Sequence, residues 1–105
     1  MIKEISVQEL KSLIDNNEGY QLIDVRELFE YNKGNLRGLH IPMSEITGRL
    51  NEIDKQKKVI IYCRSGSRSL RTVAYLQQQH NFNNLYNLKG GVISWKKEIE
   101  PDFPL

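Results

Sequence analysis

The sequence predicts an α/β domain with a doubly wound, mostly parallel sheet and helices on both of its faces, and three observations carry that prediction. Three short, mainly apolar stretches, Tyr20–Val25, Val59–Tyr62 and Leu85–Leu88, have the length and the β-branched or aromatic content of strands. Val59–Tyr62 has no polar residue at all, the pattern of a strand covered on both faces rather than one with a wet side. Helical apolar spacings separate these stretches, and strands alternating with helices imply parallel pairing with right-handed crossovers. The only cysteine, Cys63, closes the middle stretch and is followed by the polar loop Arg64-Ser65-Gly66-Ser67-Arg68-Ser69.

Taken in order, Ser6-Val7-Gln8-Glu9 is a capping box with Ile5 and Leu10 as a hydrophobic staple, and Val7, Leu10, Leu13 and Ile14 continue an amphipathic helix to Asn16-Asn17-Glu18-Gly19. Tyr20–Val25 then holds one charged residue, Asp24. Near the C-terminal end of a strand, Asp24 either helps to order the Cys63 loop or caps the turn and pairs with Arg26, the commoner use of such an aspartate. A short helix is expected from Glu27 to Tyr31, with Gly34 as its C′ glycine. Leu39-His40-Ile41-Pro42 is extended, and the proline places it at a sheet edge or a strand end. Ser44 is expected to cap a helix carrying Ile46, Leu50 and Ile53, with Gly48 weakening it by roughly 1 kcal/mol relative to alanine. Lys55-Gln56-Lys57-Lys58 is a solvated turn.

Beyond the loop, Leu70, Val73 and Ala74 form the stripe of a helix that starts near Ser67–Ser69 and frays at Gln77–Asn81. His80 then lies about four turns from Cys63, too far for a Cys–His pair, which leaves His40 as the histidine that folding could bring near. Lys89-Gly90-Gly91 lets backbone approach the same sheet edge as the Cys63 loop. Val92, Trp95 and Ile99 make a last helical stripe, with Trp95 in the core, and Pro101–Leu105 is a tail.

A lone cysteine ending an apolar strand is, taken alone, a small core residue. The loop changes that reading. Backbone amides curling around one point, beside the free N–H groups of a helix start, favour an anion there, and a cysteine thiolate is such an anion. In that setting its pKa falls from about 8.5 into the range of roughly 3.5 to 7.5. Arg64, Ser65, Gly66, Ser67, Arg68 and Ser69 suit the binding of an anionic group through amides, hydroxyls and guanidinium.

Composition narrows the classes. The 105 residues suffice for one domain, residues 1–105, with a core that needs neither disulfide nor metal. Fifteen Lys and Arg against thirteen Asp and Glu give no polyanion-binding signature, so nucleic acid is not expected. No stretch approaches the roughly 18 apolar residues that span a bilayer, and the N-terminus lacks the apolar centre of a signal peptide, so no membrane role is expected. One cysteine forms no internal disulfide, and a cytoplasmic, reducing compartment is the expectation that also keeps a reactive thiol free.

Along almost its whole length the sequence resembles the single-domain rhodaneses, which are sulfurtransferases. The resemblance lies in Asp24-Val25-Arg26 with Glu30-Tyr31 and Gly34, in Ile41-Pro42, in Cys63-Arg64-Ser65-Gly66-Ser67-Arg68-Ser69, and in Leu88-Lys89-Gly90-Gly91 with Trp95, in this order and spacing. It implies a five-stranded rhodanese fold and a cysteine, Cys63, that takes the outer sulfur of thiosulfate or a similar donor as a persulfide. The loop amides would hold that persulfide, and Arg68, helped by Arg64, the small anionic donor. A thiol, which a protein could supply, would then accept the sulfur. No metal or organic cofactor is implied. The chain departs from the family at Gly34-Asn35-Leu36, where Gly-His-Ile is frequent, and at His40-Ile41-Pro42, where Asn-Ile-Pro is frequent; both are read as changes in a supporting turn. Two rivals stand beside an enzyme of this kind. A cysteine phosphatase or arsenate reductase would need a roomier loop than the four residues between Cys63 and Arg68, since rhodanese-like phosphatases carry one more. A module that only carries persulfide sulfur or binds a partner would keep the same cysteine.

Overall fold

The computed structural model describes residues 1–105. Its five strands are β1 (Lys3–Ile5), β2 (Tyr20–Asp24), β3 (Leu39–His40), β4 (Lys58–Tyr62) and β5 (Leu85–Leu88), all parallel, in the order β1-β5-β4-β2-β3. β4 is therefore central, with β2 paired along its whole length from Tyr20 opposite Lys58 to Asp24 opposite Tyr62. From β2 the chain leaves for β3 on one side, and from β4 it leaves for β5 on the other. Such a divergence opens a crevice at the strands' C-terminal ends.

Strand alternation in β4 feeds two cores. Val59, Ile61 and Cys63 point to one face, which is filled by Ile23, Val25, Ile41, Ile46, Val73, Leu76 and Leu85. Ile60 and Tyr62 point to the other, against Val7, Leu10, Leu22, Leu88, Val92 and Trp95. The helices α1 (Val7–Asn16), α2 (Leu28–Lys33), α3 (Ser67–His80) and α4 (Gly91–Glu98) make the connections. α1 carries the expected capping box in full, with Ser6 and Glu9 each bonding the other's backbone N–H.

Several expectations are corrected. β1 is a strand that sequence patterning does not assign, because only Ile5 of its three residues is buried and Lys3 and Glu4 lie exposed on an edge strand. The segment Met43–Glu52 is a kinked 3₁₀ helix rather than an α-helix, entered from Pro42 with no side-chain cap from Ser44. Arg49 breaks it at φ −130° while binding both Glu45 and Glu52. Gly34 follows α2 but has φ 175°, extended and not left-handed. Its lack of a side chain serves packing instead, since a Cβ there would collide with the ring of Pro104. The C-terminal tail is accordingly part of the fold: Phe103 is buried in the second core, and Lys96 Nζ donates to the carbonyls of Pro101 and Phe103.

Candidate active site

Cys63 follows directly on β4, and its side chain is wholly buried. The loop behind it is shaped by glycines at two places. Gly66 has φ +101°, a left-handed conformation that favours glycine, and a Cβ there would press on the Gly90 amide at 3.2 Å. At Gly91 a Cβ would meet the carbonyl oxygens of both Cys63 and Arg64 at 2.5 Å. This close approach lets the first turn of α4 donate to the loop: Val92 N–H binds Cys63 O and Ile93 N–H binds Arg64 O, each at 3.0 Å. With those carbonyls drawn toward α4, the loop turns N–H groups toward the sulfur. Sγ accepts from Gly66 N at 3.1 Å, Ser69 N at 3.4 Å and Ser69 Oγ at 3.3 Å.

The electrostatics follow from this cage. Burial pushes the Cys63 thiol up, but the Ser69 hydroxyl and the amides of Ser69, Gly66 and Arg68 outweigh it and hold the thiol below its ordinary pKa. The amides belong to the loop and to the first turn of the 14-residue helix α3, where backbone N–H groups are otherwise unpaired. The arrangement can therefore keep a negative charge on Sγ in a dry place.

The remaining predicted residues separate into rim and frame. Arg64, Ser65 and Ser67 are exposed, and the hydroxyls of Ser65 and Ser67 lie 3.3 Å apart. Arg68 does not stand free: its Nη1 and Nη2 donate to Glu30 Oε1 and Oε2 at 2.8 and 2.9 Å. Arg68 in turn holds the Glu30 carboxyl down to about 2. Arg64 makes no ion pair and lines a hollow of about 290 Å³ with Lys33, also unpaired, and Phe29. Asp24 and Arg26 pair with each other. Arg26 Nη2 lies 2.7 Å from Asp24 Oδ2 and 2.7 Å from Gly34 O, its amide caps on Asp24 Oδ1 at 2.9 Å, and its guanidinium sits over the Tyr62 ring. Of the two readings of Asp24, the turn cap and Arg26 partner is the one its hydrogen bonds express. Neither histidine bonds the sulfur: His40 stacks on Tyr31 and bonds Arg26 O, and His80 bonds Tyr75 at the far end of α3.

Sequence reasoning does not single out two residues of the site. Glu30 enters it only through a family resemblance, and its partner lies 38 residues away. Asn87, buried on β5, bonds Ser69 Oγ, Gly66 O and the Glu4 carboxylate. Its signal is present in the chain, since it is the one amide in the otherwise apolar run Leu85–Leu88.

A parallel α/β sheet with a buried cysteine caged by amides at the C-terminal end of its central strand defines a class of proteins that do sulfur or oxyanion chemistry on a thiolate. The rhodanese-like domain model matches residues 6–98, and the chain belongs to that family. It is 39% identical over 102 residues to a protein from Allochromatium vinosum named "Sulfurtransferase", covering 96% of this chain and 94% of that one. A Bacillus subtilis protein named "Putative sulfur carrier protein YrkF" is 34% identical over 94% of this chain, which spans 54% of its length. The crystal structure of a rhodanese-like domain protein from Staphylococcus aureus superposes with a TM-score of 0.83 at 30% identity, covering 99% of this chain and 98% of that one.

Proposed function

We propose that this chain moves sulfane sulfur from thiosulfate or a similar small anionic donor to a thiol acceptor through a persulfide on Cys63. In the first step the Cys63 thiolate forms a bond to the outer sulfur of thiosulfate. The bond from that sulfur to the sulfite sulfur breaks, and sulfite leaves with its electron pair. The negative charge that remains sits on the terminal sulfur of the persulfide. In the second step an acceptor thiolate attacks that terminal sulfur, the S–S bond to Cys63 breaks, and the Cys63 thiolate is restored. The observation that carries the reading is the cage of Gly66 N, Ser69 N and Ser69 Oγ around Sγ, since it stabilises a sulfur anion in both halves of the cycle. Gly66, Ser69 and the amides of the α3 start would hold the persulfide. Arg64 and Arg68, on the rim beside Ser65 and Ser67, would receive the donor, with Arg68 giving up part of its bond to Glu30. The same cage of hydrogen-bond donors holds the thiol below its ordinary pKa, which eases loss of its proton.

Incubation with thiosulfate is expected to add the mass of one sulfur to Cys63 and to release sulfite, and an unmodified thiol after prolonged exposure would refute the proposal. Cys63→Ser should abolish both events and thiocyanate formation in a cyanide assay.

A second reading, a carrier loaded by another protein rather than by thiosulfate, is favoured by one observation: the cation best placed for a free donor, Arg68, is already bound by Glu30. Persulfide that forms from a persulfidated protein but not from thiosulfate would select it.

A further inference from the structure

The hydroxyl of Ser69 has one hydrogen and three acceptors around it. Cys63 Sγ lies at 3.3 Å, Gly66 O at 3.2 Å and Asn87 Oδ1 at 2.5 Å. The orientation of the Asn87 amide is fixed by its other end, because Nδ2 faces two acceptors, Glu4 Oε2 at 3.0 Å and Gly66 O at 3.4 Å. The atom turned to Ser69 is thus the amide oxygen, which can only accept. While Cys63 is a thiol, its S–H can donate to Ser69 Oγ and the Ser69 hydrogen can go to Asn87. When the S–H proton leaves to solvent, the Ser69 hydrogen can turn to the sulfur, and Asn87 Oδ1 loses its donor inside the protein.

We propose that Asn87 is a positioning residue for the Cys63 thiol: its carbonyl competes with the sulfur for the single hydrogen of Ser69 and so sets how readily the thiolate forms. Glu4 strengthens that competition, because a carboxylate accepting from Nδ2 polarises the amide and makes Oδ1 the better acceptor. The charged groups around the sulfur are Arg68 on α3, with Glu30 of α2 paired to it, Arg64 in the loop, and Glu4 of β1 behind Asn87. The first turn of α4, Gly91 to Ser94, adds none.

The inference rests on Cys63 as the reacting thiol, and its test does not require sulfur transfer. The chain has one cysteine, so the pH profile of its alkylation by iodoacetamide reports Cys63 alone. Asn87→Leu frees the Ser69 hydrogen for the sulfur and is expected to move the midpoint to lower pH by about half a unit to one unit. In a Ser69→Ala background the same substitution should leave the midpoint in place. A midpoint that rises overturns the proposal, because loosening the loop would cost the thiolate its amide donors. A fall of equal size with and without the Ser69 hydroxyl also overturns it. Should Asn87→Leu fail to fold, Glu4→Gln on the exposed end of the chain of bonds gives the same reading. Its downward shift should be larger with the Ser69 hydroxyl in place than in the Ser69→Ala background, and equal shifts refute the role. A shift as expected in a protein that takes no sulfur from thiosulfate would sink the proposed function while leaving Asn87 in this role.

Discussion

Two arginine–carboxylate pairs flank the Cys63 loop and use the same chemistry in different settings. Asp24–Arg26 has side chains 0% and 3% exposed and spans two residues of one turn. Glu30–Arg68 has side chains 15% and 27% exposed and joins α2 to α3 across 38 residues. In the first pair the guanidinium also holds Gly34 O and covers Tyr62, so its Nε and Nη2 are committed to the frame. In the second the guanidinium reaches water at the rim of the site. Burial, rather than hydrogen-bond geometry, separates a fixed strut from a contact that solvent reaches.

Breaking each pair should show this. Asp24→Ala leaves a buried Arg26 without its counter-charge and should cost about 3–5 kcal/mol of folding free energy, read from denaturant midpoints. A loss below about 1 kcal/mol would erase the distinction between the pairs. Arg68→Ala should raise KM for thiosulfate about tenfold, and far less for an uncharged sulfane donor, as expected for one lost charge-assisted contact. Equal changes for both donors would remove Arg68 from donor binding. Glu30→Gln should lower KM for thiosulfate about two- to fivefold by releasing Arg68; a rise would mean that Glu30 aims Arg68 at the donor instead.

The smallest effect is one of pH. Because the Glu30 pKa is lowered on folding from 4.5 to about 2, its bond to Arg68 stabilises the fold above pH 4.5 and the benefit is lost as pH falls toward 2. The stability gap between the parent and Glu30→Gln should therefore close over that interval. A gap that stays constant would show that the carboxylate pairing with Arg68 contributes nothing to folding.

What the sequence made legible was local. The buried strands β2, β4 and β5, the capping box of α1, and the Cys63 loop running into α3 are each written within a few consecutive residues, where periodicity and turn chemistry act. The α/β class and the five-stranded parallel sheet followed from them and from family resemblance, and the structure bears both out. What escaped depended on distant partners. Gly34 looks like a helix stop, yet the atom that forbids a side chain there belongs to Pro104. Ile46, Leu50 and Ile53 fit an α-helix by spacing, yet the segment is a kinked 3₁₀ turn whose break at Arg49 is braced by Glu45 and Glu52. β1 is too short and too charged to stand out until β5 lies beside it. Asn87 is visible as an odd amide, but its use depends on Glu4 of β1 and on Gly66 and Ser69 at the start of α3 converging on it from two distant segments.

The packing of residues 101–105 has a consequence for how the molecule would fail. Phe103 anchors this segment in the core, Lys96 of α4 fastens its carbonyls, and Pro104 rests on Gly34, whose carbonyl Arg26 holds. α4 in turn pins the backbone of Cys63 and Arg64. Residues 101–105 thus act as a latch on both sides of the Cys63 thiol. A protease cut or a local opening there would loosen the sulfur's surroundings while the central strands stayed paired, so chemical silence would come before loss of the fold.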